Sequence, residues 1–249
     1  PDARTRGETP VGALGSGSDY SSFFDFAGIP SIDIAFSGDY GVYHSLYDDF
    51  FWMKHFGDPT FAYHVTLARV LGVLALRLDG AGILPFDYSI YSSEISRAAD
   101  DLASHVSQDS DESAALQPVI EASNQFSEAS SREAMAVGAL EGAPVDAQLA
   151  NRLSLALADV EQSLLDPNGL VGRPWYKHTI FAPGTYTGYS AEILPGITEA
   201  IDRHDLPTLR TESDATAQAL LRASERLDQI ARMAQNSPAP PPVPLSGRE

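Results

Sequence analysis

The sequence predicts an α/β segment that gives way, near residue 84, to an all-helical domain. Two observations carry that expectation. Ile32, Ile34 and Phe36 alternate with smaller or polar residues, which is the period of a strand. From residue 59 to residue 235, apolar residues instead recur every three or four positions, the period of a helix, with one break at 166–195.

Residues 1–18 are rich in Gly, Pro, Ser and Thr and read as loop, as if the chain were entered in mid-domain. Asp19 can cap a short helix that ends at Gly28 and carries Phe23, Phe24 and Phe26. The strand over 32–36 follows Pro30. Residues 37–49 (SGDYGVYHSLYDD) form a Gly- and Asp-rich loop at the strand's end, where sites in α/β sheets usually lie. Asp58 can cap the next helix, with Pro59 in its first turn. Phe61, Val65, Ala68, Leu71, Ala75 and Leu78 keep helical spacing until Gly80 and Gly82 end it. Further helices are expected over Ser89–Val106, Ser113–Val137, Pro144–Leu165 and Thr208–Gln235. The stretch 166–195 breaks the pattern for about thirty positions, and loops of that length in compact domains are usually functional. The predicted domains are therefore 1–83, the end of an α/β sandwich, then 84–236, a helical bundle, then a Pro-rich tail at 237–249.

Composition narrows the function classes. The chain has 249 residues, 43% hydrophobic and 9% aromatic, enough to bury a core. Thirty-four Asp and Glu against 16 Lys and Arg give a formal net charge of −18. Such a chain repels phosphate backbones and anionic membrane surfaces, so no nucleic-acid partner is expected. With no cysteine there is neither a disulfide framework nor a thiolate metal site. No apolar run reaches the roughly 18 to 20 residues of a membrane span, since Val65–Leu78 is interrupted by Arg69 and Arg77. Six histidines are present, none in an HExxH pattern and none paired at zinc-finger spacing. His44, in the loop after the strand, is by itself one imidazole, and one ligand does not make a metal site.

A series of short motifs adds to this. It runs Leu14-Gly15-Ser16-Gly17-Ser18-Asp19-Tyr20, Phe23-Phe24, Ala27-Gly28-Ile29-Pro30-Ser31 and Tyr43-His44-Ser45-Leu46-Tyr47. It continues through Phe56-Gly57-Asp58-Pro59, Phe61-Ala62-Tyr63-His64, Ile83-Leu84-Pro85-Phe86-Asp87, Asp166-Pro167-Asn168-Gly169-Leu170, Arg173-Pro174-Trp175-Tyr176-Lys177-His178 and Leu194-Pro195-Gly196-Ile197. In order and spacing the series resembles the C-terminal portion of the glutamate carboxypeptidase II and transferrin receptor-like family of zinc peptidases.

That resemblance implies an exopeptidase that hydrolyses short peptides with a metal-activated water at two zinc ions. It implies a membrane-anchored ectodomain or a secretory-pathway lumen, a helical domain that pairs as a homodimer, and a peptide substrate. It assigns His44 as the last metal ligand, the other ligands coming from an upstream peptidase segment. It assigns Tyr43 as a phenol reaching the tetrahedral intermediate, and Gly17 and Ser18 as backbone lining the substrate cleft. Asp33 and Ala35 stand where the family has two arginines that receive an acidic side chain. A carboxylate there favours a basic group, unless Asp33 faces away or caps a turn. Gly188 and Tyr189 stand where a lysine and a tyrosine bind the C-terminal glutamate, so strict glutamate preference is not expected. The family also contains receptor branches without metal ligands. The alternative is therefore a non-catalytic, dimeric protein-binding homologue.

Overall fold

The computed structural model describes residues 12–36, 38, 40–140, 142, 144–186 and 189–236. Its described helices are α1 (Ala62–Asp79), α2 (Tyr88–His105), α3 (Asp111–Gly138), α4 (Ala147–Ala158), α5 (Val160–Ser163), α6 (Pro195–Asp202) and α7 (Leu206–Gln235), with shorter helical turns at Ser22–Phe26 and Phe50–Gly57. A two-stranded antiparallel sheet pairs β1 (Phe181–Pro183) with β2 (Ala191–Ile193), Phe181 opposite Ile193 and Pro183 opposite Ala191. The chain divides into two compact units, one spanning Ile32–Pro85 and the other made of the segment up to Ser31 together with everything from Phe86 onward.

The larger unit is built on α3 and α7, which lie along each other over most of their lengths. Both are rich in Ala and Ser on the facing side, which lets the two backbones approach closely. Leu116, Val119, Phe126 and Ala129 from α3 meet Leu209, Leu220, Leu227 and Ile230 from α7 in a core with almost no exposure. Ile95 of α2, Leu153 and Leu157 of α4, Leu164 just after α5, and Ile197 of α6 complete it. Polar ties cross this core. Tyr88 donates its hydroxyl to the Leu157 carbonyl at 2.6 Å, and Ser130 donates to Ser92 at 3.2 Å.

Helix starts are set by side-chain caps. Asp87, Ser110, Asp146 and Asp205 accept backbone N–H groups of α2, α3, α4 and α7. Each satisfies a donor that the helix itself cannot. The cap at Asp146 explains why α4 begins at Ala147 rather than Pro144, and Asp159 lies at the break between α4 and α5.

Three local expectations are corrected. The strand over Ile32–Phe36 does not form, because a strand needs a neighbour for its ladder and the described residues offer it none. Asp19 does not cap by its side chain; the turn Ser22–Phe26 is entered from Ser21 without a side-chain cap. The helix expected from Pro59 starts at Ala62, after Phe61 in a left-handed conformation. The buried Asp58 carboxylate holds that turn by accepting the His64 N–H at 3.1 Å and pairing with His64 Nδ1 at 2.7 Å. These bonds hold the Asp58 carboxyl below the usual carboxylate range against the opposing effect of desolvation.

The Ile32–Pro85 unit is a different kind of object. α1 carries Val65, Val70, Leu71, Val73 and Leu76 around its whole circumference, and none of its residues is buried. Leu76 alone is 73% exposed. A helix that is apolar on every side belongs inside a larger core. No single described helix is long and apolar enough to cross a membrane.

Candidate active site

The residues that the resemblance singles out fall into both units. In the Ile32–Pro85 unit, Tyr43 and His44 sit in the 40–49 loop with their rings stacked, centroids 3.9 Å apart. Both are exposed, and His44 has φ 60°, the left-handed region that non-glycine residues rarely occupy. The turns around them are local: Ser45 N–H bonds Val42 O, and the Tyr47 N–H bonds Ser45 Oγ. Asp33 is exposed in the same unit.

In the larger unit, Gly17 and Tyr189 come together although they are far apart in sequence. Gly17 has φ +91°, and a Cβ there would stand 3.4 Å from the Tyr189 carbonyl oxygen. Gly15, at φ +117°, lies so close to Phe181 and Ala182 that a Cβ would be 3.1 Å from both. Tyr20 keeps this loop in shape. Its hydroxyl accepts the Gly15 and Ser16 N–H groups at 2.9 and 3.1 Å and donates to Ser16 O at 2.8 Å. Ser18, exposed, follows in the same loop. Gly188 lies outside the described residues.

Residues 166–194 form an excursion, not an unstructured loop. Its base is stitched by isolated bridges between Leu165 and His178 and between Leu170 and Arg173. It then rises into the β1–β2 hairpin, whose tip carries Tyr186 and Tyr189, 90% and 62% exposed. Sequence periodicity missed this hairpin because each strand is only three residues long.

The excursion is seated by buried polar groups that the sequence reading did not pick out. His178, fully buried, presents Nε2 to Glu161 Oε1 at 2.8 Å, while its Nδ1 accepts the Ile180 and Phe181 N–H groups. Glu161 Oε1 also accepts the Tyr91 hydroxyl at 2.9 Å. Burial, then the Glu161 charge, pushes the Tyr91 phenol far up. Phe24 stacks on the His178 ring at 4.5 Å, and Asp25 O accepts the Lys177 and His178 N–H groups. Glu212 accepts the Val171 N–H at 2.6 Å. Trp175 stacks on Phe26 rather than on the long helices, and the Arg173 guanidinium lies 5.2 Å over the Tyr176 ring.

Two buried carboxylates are poorly satisfied. Neither Asp25 oxygen finds a hydrogen-bond partner among the described residues, and burial raises its pKa to about 7 despite the opposing charge of Arg173. Glu133 is likewise pushed to about 7, by burial first and then by Asp87, with its Oε2 unpartnered among the described residues. Neither residue sits at the hairpin tip or in the His44 loop.

As for metals, no three His, Asp or Glu side chains gather among the described residues so as to hold an ion. His44 is a single imidazole, and one imidazole does not make a metal site.

Comparison with known proteins shows the family. Residues 94–228 match the transferrin receptor-like dimerisation domain. The chain is 41% identical over 189 residues to a probable glutamate carboxypeptidase, LAMP1, of Arabidopsis thaliana, covering 76% of this chain and 27% of that protein. It is 33% identical over 197 residues to a probable glutamate carboxypeptidase of Arthroderma benhamiae, with 77% and 27% covered. It is 30% identical over 205 residues to the aminopeptidase NAALADL1 of Rattus norvegicus, with 78% and 27% covered. The chain thus spans about a quarter of the length of these curated relatives.

Proposed function

We propose a function from one premise: the chain belongs to the transferrin receptor-like family of glutamate carboxypeptidases, whose dimerisation domain makes up most of it. On this reading it supplies the C-terminal part of a zinc-dependent exopeptidase acting on short peptides. The observation that carries the reading is the meeting of Gly17 with Tyr189. Two positions that the resemblance assigns to one substrate cleft lie side by side, a Cβ added at Gly17 standing 3.4 Å from the Tyr189 carbonyl oxygen.

The chain's own residues divide the work. His44 gives one neutral imidazole to the metal centre, its backbone held in an uncommon conformation within a tight loop. When bound, zinc supplies an activated water. Tyr43, beside His44, donates its phenol to the oxyanion that develops on the scissile carbonyl. The Gly17 backbone admits the peptide closely, and the Tyr189 phenol donates to the peptide's terminal carboxylate. With no lysine at position 188, that carboxylate is held by hydrogen bonding more than by charge. Asp33 favours a basic side chain or a free amino group on the substrate.

Three consequences follow for assembly. The peptidase core is completed by an upstream segment, which covers the apolar circumference of α1. The helical domain pairs with its copy across a two-fold axis. This chain by itself is inactive, since one imidazole cannot hold two zinc ions.

The test is the full-length protein carrying His44→Ala. Peptide hydrolysis falls by at least about a hundredfold, the upper end of what even outer-sphere changes cost at metal sites, and bound zinc drops with it. Unchanged turnover would sink the reading. Sedimentation of the intact protein at micromolar concentration reads the pairing, and a monomer there refutes it.

A further inference from the structure

The geometry points to Arg173 and Glu199 as a positioning pair for the substrate cleft: together they clamp the rising strand of the hairpin and so fix the tip that carries Tyr189. The inference rests on the reading above for the role of Tyr189, but the clamp itself does not.

A hairpin with three residues per strand is marginal by its own ladder. Near its tip the Gly184 N–H reaches Ser190 O at 3.4 Å, a long bond. Two side chains reinforce it. Arg173, on the base of the excursion, donates Nη1 to the Pro183 carbonyl and Nη2 to Glu199 Oε1. Glu199, on α6, uses the same oxygen to accept the Thr185 N–H at 3.0 Å. The pair therefore grips the strand on both sides of Gly184, at Pro183 O and at Thr185 N. Its two anchors flank the hairpin in sequence, residue 173 at the base of the excursion and residue 199 on α6, so the hairpin is tied to both.

The pair is built to be stiff. Both side chains are mostly buried, 19% and 9% exposed, so the charge-assisted bonds face little competition from water. Tyr176 packs beneath the guanidinium, and Arg203 Nη1 stands 3.6 Å from the second Glu199 oxygen. Glu199 thus faces two cations, one at each carboxylate oxygen. On the other side of the tip, Gly17 abuts the Tyr189 backbone. The tip is thus located by the loop it touches and by the clamp behind it. A binding group held this way loses little freedom when substrate arrives, and loosening it raises KM rather than slowing the chemical step.

The test uses the intact protein with two variants. Glu199→Gln keeps an oxygen for Thr185 N–H but loses the charge pairing. Thr185→Pro leaves Arg173 and Glu199 untouched and removes the donor, at the cost of fixing φ at 185 and restricting Gly184. With a short peptide substrate, each raises KM by about tenfold, the worth of one such bond, while kcat stays within about threefold. Hydrogen exchange accelerates in the peptide spanning 181–193 and stays unchanged in α3 and α7. Unaltered exchange in both variants overturns the clamp. Faster exchange with an unaltered KM overturns its role in positioning substrate. If the wild-type protein hydrolyses no peptide, exchange alone decides the clamp, and the peptidase reading fails separately.

Discussion

Apolar side chains meet opposite fates in the helical unit and the Ile32–Pro85 unit, and the helix richer in them is the one that buries none. In α3 and α7 the apolar residues keep one face and are buried, with Phe126, Leu220 and Leu227 essentially inaccessible. In α1 they occupy every face and none is buried. The first pattern closes a core within the chain. The second is that of a helix meant for the middle of a larger one. The difference shows that hydrophobic periodicity locates helices but does not say whose core they fill.

The comparison is broken most sharply by paired core substitutions. Phe126→Ala deletes a fully buried ring from the helical unit and costs about 3–5 kcal/mol of stability, read by denaturant unfolding of this chain. Val73→Ala on α1 changes this chain's unfolding little, because the side chain is 51% exposed here. In the intact protein the same change costs about 1–3 kcal/mol if α1 is interior there. An α1 substitution without effect in the intact protein would mean that the helix faces solvent, and the contrast between the units would lose its meaning.

The same contrast sets what the sequence disclosed. Helices α2, α3 and α7 were legible to within a few residues because each carries an unbroken three-to-four spacing and a clear stop. The strand at 32–36 was legible as a pattern yet is absent as structure, since a strand is a property of two chains' backbones and its neighbours are not among the described residues. The site divides in the same way. His44 and Tyr43 stand out through a motif, and Gly17 through a glycine whose positive φ has a visible cause. Arg173 lay within a recognised motif, but its partner Glu199 did not, and nothing in the spacing of 173 and 199 foretells that both grip one short strand. Buried His178, Glu161 and Tyr91 were illegible for the same reason: long-range hydrogen bonds leave no period.

A smaller effect distinguishes the units by pH. Asp25 and Glu133, both buried in the larger unit, hold protons up to about pH 7. An unfolded carboxyl lets its proton go near pH 4. Between those values the native state binds more protons than the unfolded state, so stability falls as pH rises through the window and levels off above it. Each group contributes a few kcal/mol at most. Asp25→Asn keeps the shape, cannot ionise, and flattens its share of the slope, so that the variant gains stability relative to wild type at pH 8 but not at pH 4. Thermal melts of this chain at the two values check the sign. An identical slope in the variant would show that Asp25 is solvated or paired in solution.

The smallest effect sharpens the comparison at helix ends. Asp146 accepts two backbone N–H groups of α4, at 3.0 and 3.1 Å, and Asp49 makes a similar 2.8 Å cap to Trp52 in the other unit. The local chemistry is alike, so a propensity argument gives both the same worth. The cooperative structure behind them is not alike. α4 carries Leu153 and Leu157 into the core, whereas the turn Phe50–Trp52 buries nothing. A cap contributes to global stability only if the helix it starts unfolds with the rest. Asp146→Ala therefore lowers the stability of this chain by about 1 kcal/mol, while Asp49→Ala shifts its unfolding midpoint not at all. Equal losses from the two substitutions would show that the Ile32–Pro85 unit melts together with the helical core, and that its exposed apolar helix is already part of one cooperative structure.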